Sequence, residues 1–169
     1  MDEIIGRGGV TDIHAIKIST KDGWHIPNER RMELPPETLK AAKRINMSIG
    51  DGVKPRVVSG TYNCVGMVFA CRRTHIDSDW LPEILNRDGY SLIEETDVVI
   101  ADLVVYFLNS RPKHVGIVVD VCRIGETTAI HVLSQWGASG EYFHPAQNVP
   151  IIFGCPTYWT ERKTNEGVV

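Results

Sequence analysis

HVGIVVDV at residues 114–121 and TTAIHVLSQW at residues 127–136 are dense in Val and Ile. Such residues pack best on a pleated, half-buried surface. Between the two runs lies Arg123-Ile124-Gly125-Glu126, a short glycine-bearing connection. Together they predict an antiparallel hairpin. DVVIADLVVYF (97–107) has the same texture and predicts a strand with a bend at Ala101-Asp102. NVPIIFG (148–154) predicts one more.

Towards the N-terminus the period becomes helical. PETLKAAKRIN (36–46) follows the breaker Leu34-Pro35 and carries Pro in its first turn and Lys/Arg near its end, the usual asymmetry of a helix. The segment around VGMVFACRR is apolar at 64, 65, 67, 68 and 71, a 3.6-residue period. Ser59-Gly60-Thr61-Tyr62-Asn63 before it offers several N-caps, and Arg72 and Arg73 complement its C-terminal end. Residues 78–85 predict another helix, stopped by Asp88-Gly89. Residues 10–26 alternate loosely and turn at Lys21-Asp22-Gly23, and 49–52 predict a loop. Helices followed by a run of strands imply an α+β fold, with N-terminal helices packed on a central antiparallel β-sheet.

The 169 residues suffice for one domain with a sizeable core. We divide residues 1–169 into a lead-in (1–33), a core (34–160) and a tail (161–169). The hydrophobic fraction of 43% and net charge of −3 are ordinary for a globular chain. No basic cluster points to nucleic acid or an anionic membrane. The start, MDEIIGRGGVTD, lacks the basic-then-apolar pattern of an export signal, and no window approaches a membrane span. With no such signal, the four scattered cysteines read as reduced thiols of a cytoplasmic protein.

Cys64 stands at the predicted start of a helix, where backbone N–H groups and the helix dipole favour a thiolate and an oxyanion. A base must come from elsewhere in the chain. His114 opens a predicted strand after Asn109-Ser110-Arg111-Pro112-Lys113, and His131 lies on the next strand. Across a hairpin the two histidines could supply the base and the orienting group of a triad. Cys71, Cys122 and Cys155 read as small buried hydrophobes. Trp136, Tyr142, Phe143, His144, Tyr158 and Trp159 could wall a cleft or seal a sheet edge. His144 reads as structural, and His75 and His14 as surface residues. No cysteine pair has zinc-ligand spacing, so no metal or cofactor is expected.

YNCVGMVFA, ADLVVYF, HVGIVVDV and AIHVLS, in that order, resemble the NlpC/P60 superfamily of papain-like cysteine peptidases and amidases, related to CHAP domains. The resemblance covers roughly residues 59–136, with 50 residues from Cys64 to His114. It implies a papain-like fold and a bacterial-type thiol hydrolase that cleaves an amide bond through a thioacyl-enzyme. Cys64 would be the nucleophile, His114 the general base and His131 the orienting group. Tyr62 would aid the oxyanion, and Gly66 and Gly116 would permit close packing. Asp102 would cap a strand bend.

Some positions depart from the family pattern. Asn63 replaces the acid of cell-wall members, which argues against a peptidoglycan stem, and Val65 replaces the usual Ser. The connection to His131 is longer than a tight hairpin, so Ser134 and Gln135 stand as alternative third members. Asn63, Gln135 and Trp136 are candidate substrate contacts. The expected partner is a peptide or another amide-containing substrate. The alternatives are a catalytically inactive binding or effector module of the same type, and an acyltransferase or lipid-amide or ester hydrolase.

Overall fold

The computed structural model describes residues 15–46, 52–125 and 127–163. Among these residues three α-helices, α1 (Pro36–Asn46), α2 (Cys64–Phe69) and α3 (Leu81–Asp88), accompany seven strands: β1 (Lys54–Pro55), β2 (Ser91–Ile93), β3 (Leu103–Leu108), β4 (Arg111–Ile124), β5 (Thr127–Gln135), β6 (Glu141–Pro145) and β7 (Cys155–Thr160). The strands form one sheet in the order β1-β6-β5-β4-β3-β7-β2, every neighbour antiparallel. The architecture is therefore α+β, with a single antiparallel sheet. No helix among the described residues is long and apolar enough to cross a membrane.

Strand alternation divides the sheet into two faces. Leu103, Val105 and Val115 turn to one side, where they pack with Cys64 and Val65 of α2 and Leu81, Ile84 and Leu85 of α3. Val104, Tyr106, Val118, Ile130 and Val132 turn to the other, where Val98, Ala146 and the partly buried Val149 and Phe153 cover them. Each face thus has its own core. This explains why β3 to β5 read as near-continuous apolar runs and not as alternating ones.

The hairpin of β4 and β5 closes at Ile124↔Thr127, as its sequence predicts. Glu126 and residues 49–51 fall outside the described residues, as do His14 and the start of the 10–26 segment. The bend at Ala101-Asp102 is present: Ala101 has φ +79°, and the Asp102 carboxylate accepts from Val99 N at 2.9 Å. Residues 97–102 therefore lie outside β3. NVPIIFG is not a strand. Pro150 has no N–H for a ladder, and Ile151–Phe153 form a 3-10 turn. β6 and β7 arise instead from the aromatic segments on either side.

Residues 15–33 of the lead-in belong to the fold. Ile26 is buried in the helix-side core, and Asn28 ties the backbone of Ile16 to that of Ile26 and accepts from the Thr74 hydroxyl at 3.0 Å. The Lys21-Asp22-Gly23 turn closes a bridge between Ser19 and His25.

The largest local correction concerns α2. It stops at Phe69, and Cys71 and Arg72 take left-handed φ values of +49° and +65°. Cys71 therefore leaves the helical stripe it shares with Cys64 in the sequence. Close approach explains the compact geometry: a Cβ on Gly66 would stand 1.8 Å from the Thr74 carbonyl oxygen. Because the obstacle is backbone, it cannot rotate away. Gly66→Ala is expected to cost about 3 kcal/mol, checked by urea denaturation. A variant as stable as the parent would show that α2 can shift off the 74–76 segment.

Candidate functional site

Cys64 occupies the first position of α2. Asn63 caps that helix: its Oδ1 accepts from Gly66 N at 2.9 Å and from Ile76 N at 3.2 Å, and its Nδ2 donates to Ile76 O at 2.6 Å. Both polar atoms of the amide are engaged, so Asn63 is a clamp between α2 and the 74–76 segment. A role in holding a substrate would break that clamp.

The Cys64 residue is only 7% exposed. Burial pushes its thiol pKa up, against a smaller downward pull from the backbone N–H groups of Val115, Val65 and Cys64 itself. The other three cysteines reverse the sequence expectation: Cys71, Cys122 and Cys155 are exposed. Cys71 sits in the left-handed turn, Cys122 near the end of β4 beyond the covered sheet, and Cys155 at the start of β7. The cysteine expected to react is buried, and the three expected to pack face water.

His114 is one residue from Val115, yet it points the other way. It lies opposite Tyr106 in the β3–β4 register, its ring centroid 5.4 Å from that ring and 4.0 Å from Phe153, the latter nearly parallel at 9°. Its Nε2 is buried without a hydrogen-bond partner among the described residues. Burial, then the nearby His144, holds its pKa well below the ordinary 6.5. The sheet therefore separates Cys64 from His114, on the helix side and the far side respectively.

His131 is not joined to His114 either. It shares the helix-side face, stacks on Phe143 at 5.1 Å and lies 3.5 Å from Asp120. An extra residue between Val118 and Asp120 in the β4–β5 register sets Asp120 opposite His131. The alternative third members have other duties. Ser134 lies 2.8 Å from His144 Nε2 and accepts from Trp136 Nε1 at 2.9 Å. Gln135 donates to Ser59 O and Gly137 O, both at 2.7 Å. Trp136 stacks on Tyr142 at 4.3 Å. Trp136, Tyr142 and His144 are buried and seal the far side of the sheet. Among the described residues, Cys64, His114 and His131 are not assembled into a triad.

His144 has a full set of partners. Its Nδ1 lies 2.8 Å from the Pro145 carbonyl, which can only accept. Nδ1 therefore carries the proton and Nε2 accepts from the Ser134 hydroxyl. Burial lowers its pKa to about 4.

Glu141, which its sequence context does not mark as a site residue, stands beside Tyr62. Its carboxylate is fully buried, accepts from the Tyr62 hydroxyl at 2.9 Å and pairs with Arg72 through both guanidinium Nε and Nη2. Burial first, and then Glu141, lift the Tyr62 pKa to about 12, so the phenol stays a donor. The left-handed turn at Cys71-Arg72 sends Arg72 back to this carboxylate. A detectable signal was the alternation in Glu141-Tyr142-Phe143-His144, which places Glu141 on the same face as Phe143. Tyr62 and Asn63 also line a cavity of about 170 Å³, together with Arg31, Leu34, His75 and Gly137. Cys64 does not line it.

No family model, curated protein or solved structure matches the chain.

Proposed function

We propose that the chain is a papain-like module of NlpC/P60 type that acts by binding, with Cys64 as a packing thiol. The family reading rests on the order of the four sequence motifs and on a helix starting at Cys64 that packs on an antiparallel sheet. The observation that carries the binding reading is the placement of His114 across the sheet from Cys64. A buried thiol with a raised pKa holds little thiolate at neutral pH, and the His114 imidazole lies on the other side of the sheet. Three exposed, unpaired thiols suit a reducing compartment, so we place the protein in the cytoplasm.

Alkylation tests the assignment. With iodoacetamide at pH 7.5, Cys71, Cys122 and Cys155 should be modified first, and Cys64 at least about tenfold more slowly. Peptide mass mapping reads the order. A Cys64 that outpaces the exposed thiols, with a rate that drops in His114→Ala, would overturn it.

Two features favour hydrolysis as a second reading. Three backbone N–H groups surround the Cys64 sulfur, and an extra residue between Pro112 and His114 interrupts the β3–β4 register. Moving that bulge by one residue would turn His114 to the helix side, since a one-residue slip exchanges faces. The Cys64 thiol would then pass its proton to His114 and attack an amide carbonyl; as the C–N bond breaks, His114 would return that proton to the departing amine. Water would then hydrolyse the thioester, freeing the acid and restoring the Cys64 thiol. Under this reading Cys64→Ala abolishes amide hydrolysis and keeps the fold. Equal turnover by that variant would exclude it.

A further inference from the structure

We propose that the cavity between α3, the β3–β4 turn and β7 is a binding site for a small, uncharged, flat apolar ligand. The cavity has a volume of about 410 Å³, within the range of small-molecule sites. It is separate from Cys64 and from the cavity beside Tyr62, and no part of the hydrolase or binding reading above uses it.

Its walls are aromatic. Tyr90, Phe107 and Trp159 line it, and Leu85 contributes from α3. All three rings pack against the helix-side core. Their orientations are held from behind. Trp159 Nε1 donates to the Thr157 hydroxyl at 2.9 Å, and that hydroxyl donates to Val105 O at 2.8 Å. Tyr90 meets Phe69 edge-on, with centroids 6.2 Å apart. Its backbone N–H donates to Leu85 O at 2.9 Å. The space between the rings is therefore built into the fold and does not depend on a ligand to open it.

The lining also selects charge. Besides the Tyr90 phenol and the Trp159 indole N–H, which already donates to Thr157, its polar side chains are Asn86 and Ser110, and no Asp, Glu, Lys, Arg or His among the described residues takes part. An ion would lose hydration there without a counter-charge, which is costly. A flat apolar body gains area against the rings, and one or two polar groups can meet the Asn86 amide and the Ser110 hydroxyl. Asn109 and Ser110 carry φ values of +52° and +61°. This tight turn brings Ser110 to the rim.

The probe is N-phenyl-1-naphthylamine, a neutral, flat and apolar fluorophore. Titrated into the full chain it should show saturable enhancement, with Kd of about 1–100 µM. Asn86 is exposed on α3, so Asn86→Trp fills the mouth from a position that tolerates a larger side chain. It should weaken the probe at least about tenfold with an unchanged melting temperature. The sulfonated analogue 1-anilino-8-naphthalenesulfonate should bind at least about tenfold more weakly than the neutral probe. Absence of saturation, or equal affinity in Asn86→Trp, would overturn the site. Equal or tighter binding of the anion would overturn the ligand class. If Asn86→Trp melts early, Asn86→Phe repeats the test. Cys64→Ala should bind the neutral probe like the parent, so a failure here and a failure of the Cys64 assignment are told apart.

Discussion

Arg72→Ala is expected to lower stability by about 3–5 kcal/mol, the usual cost of leaving one partner of a buried ion pair alone. The Glu141 side chain is wholly buried, whereas that of Arg72 is 41% exposed. Removing the arginine thus strands the deeper charge beside the Tyr62 hydroxyl. Glu141→Ala strands a cation that water can still reach, so it should sit at the lower end of the range. The combined Arg72→Met, Glu141→Leu, Tyr62→Phe variant removes every member and should recover most of the loss. Urea denaturation of the set measures this. Additive losses would show that the three side chains do not act as a unit.

Acid is expected to destabilise the protein before its carboxylates titrate. His114 and His144 are neutral in the folded chain, with pKa values lowered by burial, His144 to about 4. In the unfolded chain both return to about 6.5. Between these values the unfolded state binds more protons, so stability falls as pH falls. It is complete above pH 6.5, declines below it, and levels off beneath the folded pKa. For His144 the full span is worth about 3 kcal/mol, of which about 2 kcal/mol is gone by pH 5. His114 adds to this in the same direction. His114→Phe retains the stack on Phe153 and removes the unpartnered Nε2. It should be at least as stable as the parent at pH 7.5 and should flatten the profile. A parent whose stability is level from pH 7.5 to 5 would show that both imidazoles reach water.

The fold was largely legible because its signals are local. The hairpin of β4 and β5 is marked by two β-branched runs and a glycine turn. The C-terminus of α3 is marked by Gly89, which adopts φ +77° there. The bend before β3 is marked by Asp102. The site was less legible because it depends on which face a residue takes. A His followed by Val-Gly-Ile reads the same whether the imidazole or the valine meets the helix. Only the register with Tyr106 and Val105 decides it. The cysteines show a similar limit. A period of apolar residues from 64 to 71 says nothing of the Thr74 carbonyl behind Gly66, which accompanies the early end of the helix. Glu141 was overlooked because a lone acid in an aromatic segment reads as solvent-facing until its partner, 69 residues away, is known.

The strand order also sets a timetable for synthesis. β7 is the last strand among the described residues, yet it lies between β3 and β2 and pairs with both. Until residues 155–160 have left the ribosome, β3 presents one open edge and β2 has no partner at all. Such long-range closure is slow and leaves unpaired strands exposed. A nascent chain stalled before residue 155 should therefore engage holding chaperones, and one released a few residues later should not.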